Sequence, residues 1–220
     1  MATTLVVDLI KRASELLYDD TNVRWTKEAL LSWLNAAQKA IVLQKPDSHV
    51  VNEDFNCNGG TTKQSLPDNG LRLLEVVRNV TEDSTGEAIS VVSRDVMDTT
   101  VPDWHSSTPT INIENYVFDE RDPKHFYVYP APDTDTLIEI IYSKAPGLIV
   151  VVDHNTDSQT ITLDDVYENV ILDYMLYRAY AKDAEYSKNG RQSLNHYNDF
   201  ANAIGMKMKV DIINSPNEQS

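Results

Sequence analysis

The side chains able to do chemistry in this chain are five histidines, one cysteine and 34 acidic residues spread over 220 positions. Hydrolysis or group transfer needs a nucleophile beside a base, a metal cluster, or an acid and a base held in one pocket. His49, His105, His125, His154 and His196 are scattered, and no two stand at the i, i+4 spacing that puts both imidazoles on one helical face. Cys57 lies in "NCNGG", a turn signal with no base beside it. Asp119, Glu120 and Asp122 fall together in "DERD", but acids this abundant produce close pairs anyway, and a charged turn is the simpler reading. Trp104 beside His105 reads either as a ring that stacks on a sugar or base or, more commonly, as the anchor of a long loop. Glycine is scarce, at seven residues, and neither a phosphate-binding loop nor a dinucleotide fingerprint occurs. The expectation is no catalytic residue, no cofactor and no metal.

A second concentration of functional groups is "DYMLYRAYAKDAEY", residues 173 to 186, with tyrosines at 174, 177, 180 and 186. It reads as a catalytic box, a folded core or a surface that meets another subunit. A helix advances 100° per residue, so Tyr174, Tyr177 and Tyr180 drift around the cylinder and do not all face one small core.

The elements around these groups follow from charge and period. Lys and Arg against Asp and Glu number 6 and 5 over residues 1–45, 7 and 20 over 46–160, and 6 and 9 over 161–220, net charges of +1, −13 and −3. The acidic middle argues against gripping nucleic acid, which needs Lys and Arg in place of counterions; it reads as a solvated acidic surface or as a wall past which DNA slides. One cysteine excludes an internal disulfide, and the longest apolar runs, such as "GLIVVV", are far short of a bilayer span. A soluble protein made in the cytoplasm is expected, with no membrane partner.

From Thr4, apolar residues at 5, 6, 9, 10, 13, 16 and 17 predict an amphipathic helix, with Thr3 or Thr4 as its cap. A second helix opens at Thr26 and ends at Pro46, with Trp25 placed to pack on Leu30, and with Leu30, Leu34, Ala37 and Ile41 as its stripe. Asn35 and Gln38 are expected to face solvent or to hydrogen-bond across to another helix. Strands are predicted in "LRLLEVVRNV", "EAISVVS", "INIENYVF", "HFYVYP" and "TLIEIIYS", separated by the turn signals "PDNG", "DSTG", "ERDP" and "APDTD". Residues 93 to 109 read as a loop or as a short helix followed by one. Helix returns with Asp165 and Glu168 as a capping box, carries Val170, Ile171 and Tyr174 on its bundle face, and runs to Gly190. A last helix places Leu194, Tyr197, Ala201, Ile204 and Met208 on one face, and the tail 211–220 is expected to be disordered in the free protein.

The fold class expected is α+β. Helix pairs at 1–46 and 161–210 join as one bundle, and an acidic β-rich insertion at 47–160, sandwich or barrel-like, projects from it.

Three segments taken in order resemble the head-to-tail adaptor proteins of short-tailed bacteriophages: "WTKEALLSWLNAAQKAI" at 25–41, "FYVYPAP" followed by "IEIIYSKAP" between 126 and 146, and "LDDVYENVILDYMLYRAYAKDAEY" at 163–186. The resemblance implies a virion structural protein at the portal vertex, forming a homo-oligomeric ring, commonly a dodecamer, between the portal protein and the tail nozzle protein. Double-stranded DNA would pass through its channel without specific binding. No catalytic residue is carried over. In such a ring a helix is buried on one side by its own bundle and on another by the next subunit, so Tyr177, Arg178 and Tyr180 become the expected interface residues, with intramolecular packing of all three as the alternative. The tail would order against the portal on docking. Rival readings are a virion enzyme that cleaves carbohydrate with carboxylates of the acidic insertion, and an acidic module that mimics nucleic acid.

Overall fold

The computed structural model describes residues 2–80, 86–183 and 187–214. Two units emerge: Met1–His49 with Pro146–Ser220, and Val50–Ala145. The first is helical and the second carries the strands, so the protein is α+β.

The helical unit is built from α1 (Val6–Leu16), α2 (Lys27–Gln44), α4 (Glu168–Lys182) and α5 (Ser187–Asn214). Helix α4 packs against the other three, and α5 packs chiefly on α4. The period of α1 buries Val6, Leu9, Ile10, Ala13 and Leu17. Leu16, expected on that stripe, is half-exposed. In α2, Leu30, Leu34, Ala37 and Ile41 are fully buried. Thr26 caps α2 by accepting from the Ala29 amide at 3.3 Å. Trp25 is buried and its indole N–H donates to the Ala179 carbonyl at 3.2 Å, so it joins α2 to α4.

Two capping expectations are corrected. Neither Thr3 nor Thr4 caps α1; the residue before the helix is Leu5, without a side-chain cap. Asp164, not Asp165, caps the short 3-10 turn that leads into α4, by accepting from the Val166 amide. Asp165 instead accepts from the backbone amides of Thr3 and Thr4, at 2.8 Å each, and from the Thr3 hydroxyl at 2.7 Å. A carboxylate answers donors that the start of the chain would otherwise leave to water. These hydrogen bonds, the Thr3 hydroxyl foremost, hold the Asp165 carboxyl well below its usual range. A depressed folded-state pKa means that the tether contributes stability above the ordinary carboxylate range and loses it as pH falls through the folded value. Replacing Asp165 by Asn should therefore destabilise the chain by a nearly constant amount at neutral pH, with the gap to wild type closing below about pH 4 in urea titrations.

Helix α4 is also shorter than expected. It stops at Lys182 rather than running to Gly190, which lies inside α5. Asp183 holds the break: Arg24 forms an ion pair with its carboxylate, and the Asn189 amide donates to the same carboxylate at 2.9 Å. Helix α5 reaches Asn214, into the segment expected as a tail; residues 215–220 and Tyr186 lie outside the described residues.

Residues 146–160 belong to this unit rather than to the insertion that the charge count suggested. Asn35 and Gln38, expected at the surface or against another helix, are buried and fasten extended chain instead. Asn35 bonds both the N–H and the C=O of Ile149 at 2.9 Å, as a neighbouring strand would. The Gln38 carbonyl accepts the amides of Thr162 and Leu163. Leu5 bridges Thr160 nearby.

Among its described residues the second unit holds seven strands in two sheets. β1 (Val50–Asn56), β7 (Leu137–Lys144) and β3 (Gly70–Asn79) form one, in that order; β2 (Lys63–Ser65), β6 (His125–Tyr129), β5 (Asn115–Phe118) and β4 (Ser90–Val91) form the other. All pairs are antiparallel except β4 with β5. Ile138, Ile140 and Tyr142 of β7 meet Phe126 and Val128 of β6 in one core, a sandwich built by period-two alternation. Three register shifts in β3 replace that period by one of three, so Gly70, Leu73, Val76 and Asn79 all turn inward. On the far side of β5 and β6, α3 (Arg94–Thr100) and the turn after it pack Met97 and Trp104 on Val117. The turn expected at 83–86 lies outside the described residues apart from Gly86.

Candidate functional site

The sandwich disposes of the residues singled out for chemistry one by one. Trp104 is buried, and its indole N–H donates to Asp98 at 2.9 Å, so the ring has no face free for a sugar or base. His105 stacks on it at 3.7 Å and shares a 2.7 Å hydrogen bond with the Thr62 hydroxyl. Cys57 is buried, which pushes its thiol up to about 12 and leaves no nucleophilic thiolate at neutral pH. Asp119 pairs with Arg121, Glu120 with Arg72 and Asp122 with His125, three acids spent on three different bases. The Arg121 guanidinium holds the Asp119 carboxyl down at about 2. These are features of a charged turn, not of two carboxylates converging on a bond.

In the helical unit, a cleft of about 550 Å³ beside α1 is lined by Asp8, Lys11, Glu15, Lys27 and His154. Its charges are mixed, and the serine in its lining, Ser14, donates its hydroxyl to the Ile10 carbonyl and accepts from the Asn22 amide.

The aromatic stretch of α4 is the better site. The tyrosines drift around the helix as the wheel requires, and α5 follows them. Tyr174 packs on Phe200 at 5.0 Å, Tyr177 on Tyr197 at 5.2 Å, and Tyr180 lies parallel to His196 at 5.8 Å. As α4 is read forward α5 is read backward, an antiparallel hairpin. The Ser193 hydroxyl donates to the Tyr177 carbonyl at 3.3 Å, which closes the seam.

Each expected residue therefore has a definite place. Val170 and Ile171 are buried in the bundle, whereas Tyr174 is half-buried at the seam. Tyr177 and Tyr180 are also half-buried, each with one face against α5. Burial raises the Tyr180 phenol above its ordinary range. Arg178 is exposed and makes no ion pair among the described residues. The face of α5 differs from expectation: Ser193, Phe200 and Ile204 are buried, while Leu194 and Tyr197 are half-exposed or more. The seam is set by the rings on α4, and these select Phe200 over the aliphatic Leu194. The side chain of Met208 lies outside the described residues.

The same seam gathers a group that sequence spacing alone did not suggest. His196 Nδ1 lies 3.0 Å from Asp173 Oδ1, and Asp199 sits one turn further along α5, with one ligand atom from each of the three within 4.8 Å of the others. The i, i+3 pair His196 and Asp199 was the visible half of this signal.

Among curated proteins no match is found. A family model described as SU10 adaptor protein matches residues 4–220, both helix pairs and the sandwich between them. With that span covered, the chain belongs to the SU10 adaptor protein family, structural adaptors of bacteriophages.

Proposed function

We propose that this chain forms a ring at the portal vertex of the virion, joining the portal protein to the tail nozzle protein and enclosing a channel through which double-stranded DNA passes without specific binding. The family match over 4–220 carries the reading. A ring of about twelve copies gives each subunit two different faces, closed by rotation. The exposed Arg178, flanked on α4 by half-buried Tyr177 and Tyr180, suits one of them. Tyrosine edges and an exposed guanidinium are the chemistry enriched at protein interfaces. The −13 charge of residues 46–160 suits a surface that DNA passes rather than grips. Among the described residues no helix is long and apolar enough to cross a membrane.

Light scattering on the purified chain, alone and after addition of the portal protein from the same virion, tests this. A stoichiometric ring assembled on the portal is expected. Arg178→Glu should weaken that assembly by roughly tenfold or more while shifting the stability of the free chain by less than about 0.5 kcal/mol. A chain that ignores the portal would overturn the reading. Assembly unaffected by Arg178→Glu would move the interface away from α4.

A further inference from the structure

We propose that Asp173, His196 and Asp199 form a binding site for a divalent first-row transition ion that staples α5 to α4. The three donors come from both helices of the hairpin, and one ligand atom from each lies within 4.8 Å of the others. The His196 Nδ1 and Asp173 Oδ1 atoms are 3.0 Å apart, the separation of two ligands at right angles around an ion with bonds of about 2.1 Å. Asp199 is exposed and free to swing in as the third ligand.

Charge points the same way. Asp173 has His196 as its hydrogen-bond partner and no Lys or Arg among the described residues, and Asp199 has no hydrogen bond or ion pair there. Two carboxylates share this corner of the seam with no Lys or Arg paired to either among the described residues, and a divalent ion supplies positive charge to both. The imidazole nitrogen decides the class of ion. A set of one nitrogen and two carboxylate oxygens suits Zn²⁺, Co²⁺ or Ni²⁺, whereas Mg²⁺ and Ca²⁺ favour oxygen alone. Tyr180, parallel to His196 on the α4 side, holds the ring plane in place. Three protein ligands leave the remaining positions to water at the exposed side of Asp199.

Calorimetric titration and thermal melting of the full chain, stripped with chelator and then given ZnCl₂, NiCl₂ or MgCl₂, test the site. Zn²⁺ and Ni²⁺ should bind at one per chain and raise the melting temperature, and Mg²⁺ at the same concentration should do neither. His196→Gln and Asp199→Asn should each weaken Zn²⁺ binding by roughly tenfold or more. Asp199 is exposed, so its variant reads the site even where His196→Gln disturbs the hairpin. The proposal is overturned by a wild-type chain that does not respond to Zn²⁺, by a response that survives Asp199→Asn, or by Mg²⁺ acting as well as Zn²⁺.

Discussion

Replacing Phe126 by alanine should destabilise the β unit by about 3 to 5 kcal/mol, the largest effect expected of any single substitution here. Phe126 is 0% exposed and stands at the centre of the sandwich core. In register it opposes Gln64 of β2 on one side and Phe118 of β5 on the other, and its ring packs at 5.9 Å on Phe55 of β1. The truncation removes a ring shared by both sheets, and the backbone is fixed on both flanks by ladder hydrogen bonds, so the void closes little. Phe126→Leu retains most of the apolar volume and should cost about half as much or less. Urea denaturation followed by far-ultraviolet circular dichroism and by tryptophan fluorescence, to which Trp104 contributes from the same unit, reads the loss. A Phe126→Ala midpoint within error of wild type would mean that the two sheets do not share this core.

The strands that were legible in the sequence and those that were not differ in one physical respect. β6 buries every second position, and β7 does so from Ile138 to Tyr142, so the period announces them. β1 does not. Its inward-turned positions are Val51, Glu53 and Phe55, and Asn and Asp crowd the others, all poor strand formers. What makes Glu53 acceptable there is the Tyr142 hydroxyl, which donates to it at 2.8 Å from β7. That partner is 89 residues away and leaves no trace in local spacing. Burial, with the Glu53 contact added, pushes the Tyr142 phenol up to about 12, so it stays a donor through the neutral range.

The helical site divides in a similar way. A helical wheel was enough to show that Tyr174, Tyr177 and Tyr180 need more than one surface to pack on. Which surface could not be read, because the pairing of α4 with α5 depends on where α4 stops. Gly190 looked like the stop, but the break is made seven residues earlier by Asp183 with Arg24 and Asn189, again a long-range arrangement. Once the hairpin is placed, Tyr180 meets His196 and Asp173 meets His196 and Asp199 without further assumptions. Asp165 is the same lesson at smaller scale: its spacing to Glu168 imitates a capping box, yet its carboxylate binds the amides of Thr3 and Thr4 at the other end of the sequence.

Asn35→Leu should cost the helical unit about 2 to 4 kcal/mol, from hydrogen bonds rather than volume. Asn35 is 6% exposed, and its amide spends its carbonyl on the Ile149 N–H and its NH₂ on the Ile149 C=O. Leucine fills a similar space but strands two buried backbone groups, each worth about 1 to 3 kcal/mol when left without a partner. Asn35→Asp should be no milder, since a carboxylate still accepts the Ile149 N–H but sets negative charge against the Ile149 carbonyl. Gln38→Leu gives the internal comparison. It strands the Thr162 and Leu163 amides, but Gln38 carries a buried NH₂ with no hydrogen-bond partner among the described residues, and its removal offsets part of the loss. The Gln38 variant should therefore lose about half as much as the Asn35 variant, measured by urea midpoints at constant m-value. If instead Gln38→Leu proves the more damaging of the two, the extended segment at 146–152 is held by something other than its strand-like bond to α2, and the fastening role assigned to Asn35 fails.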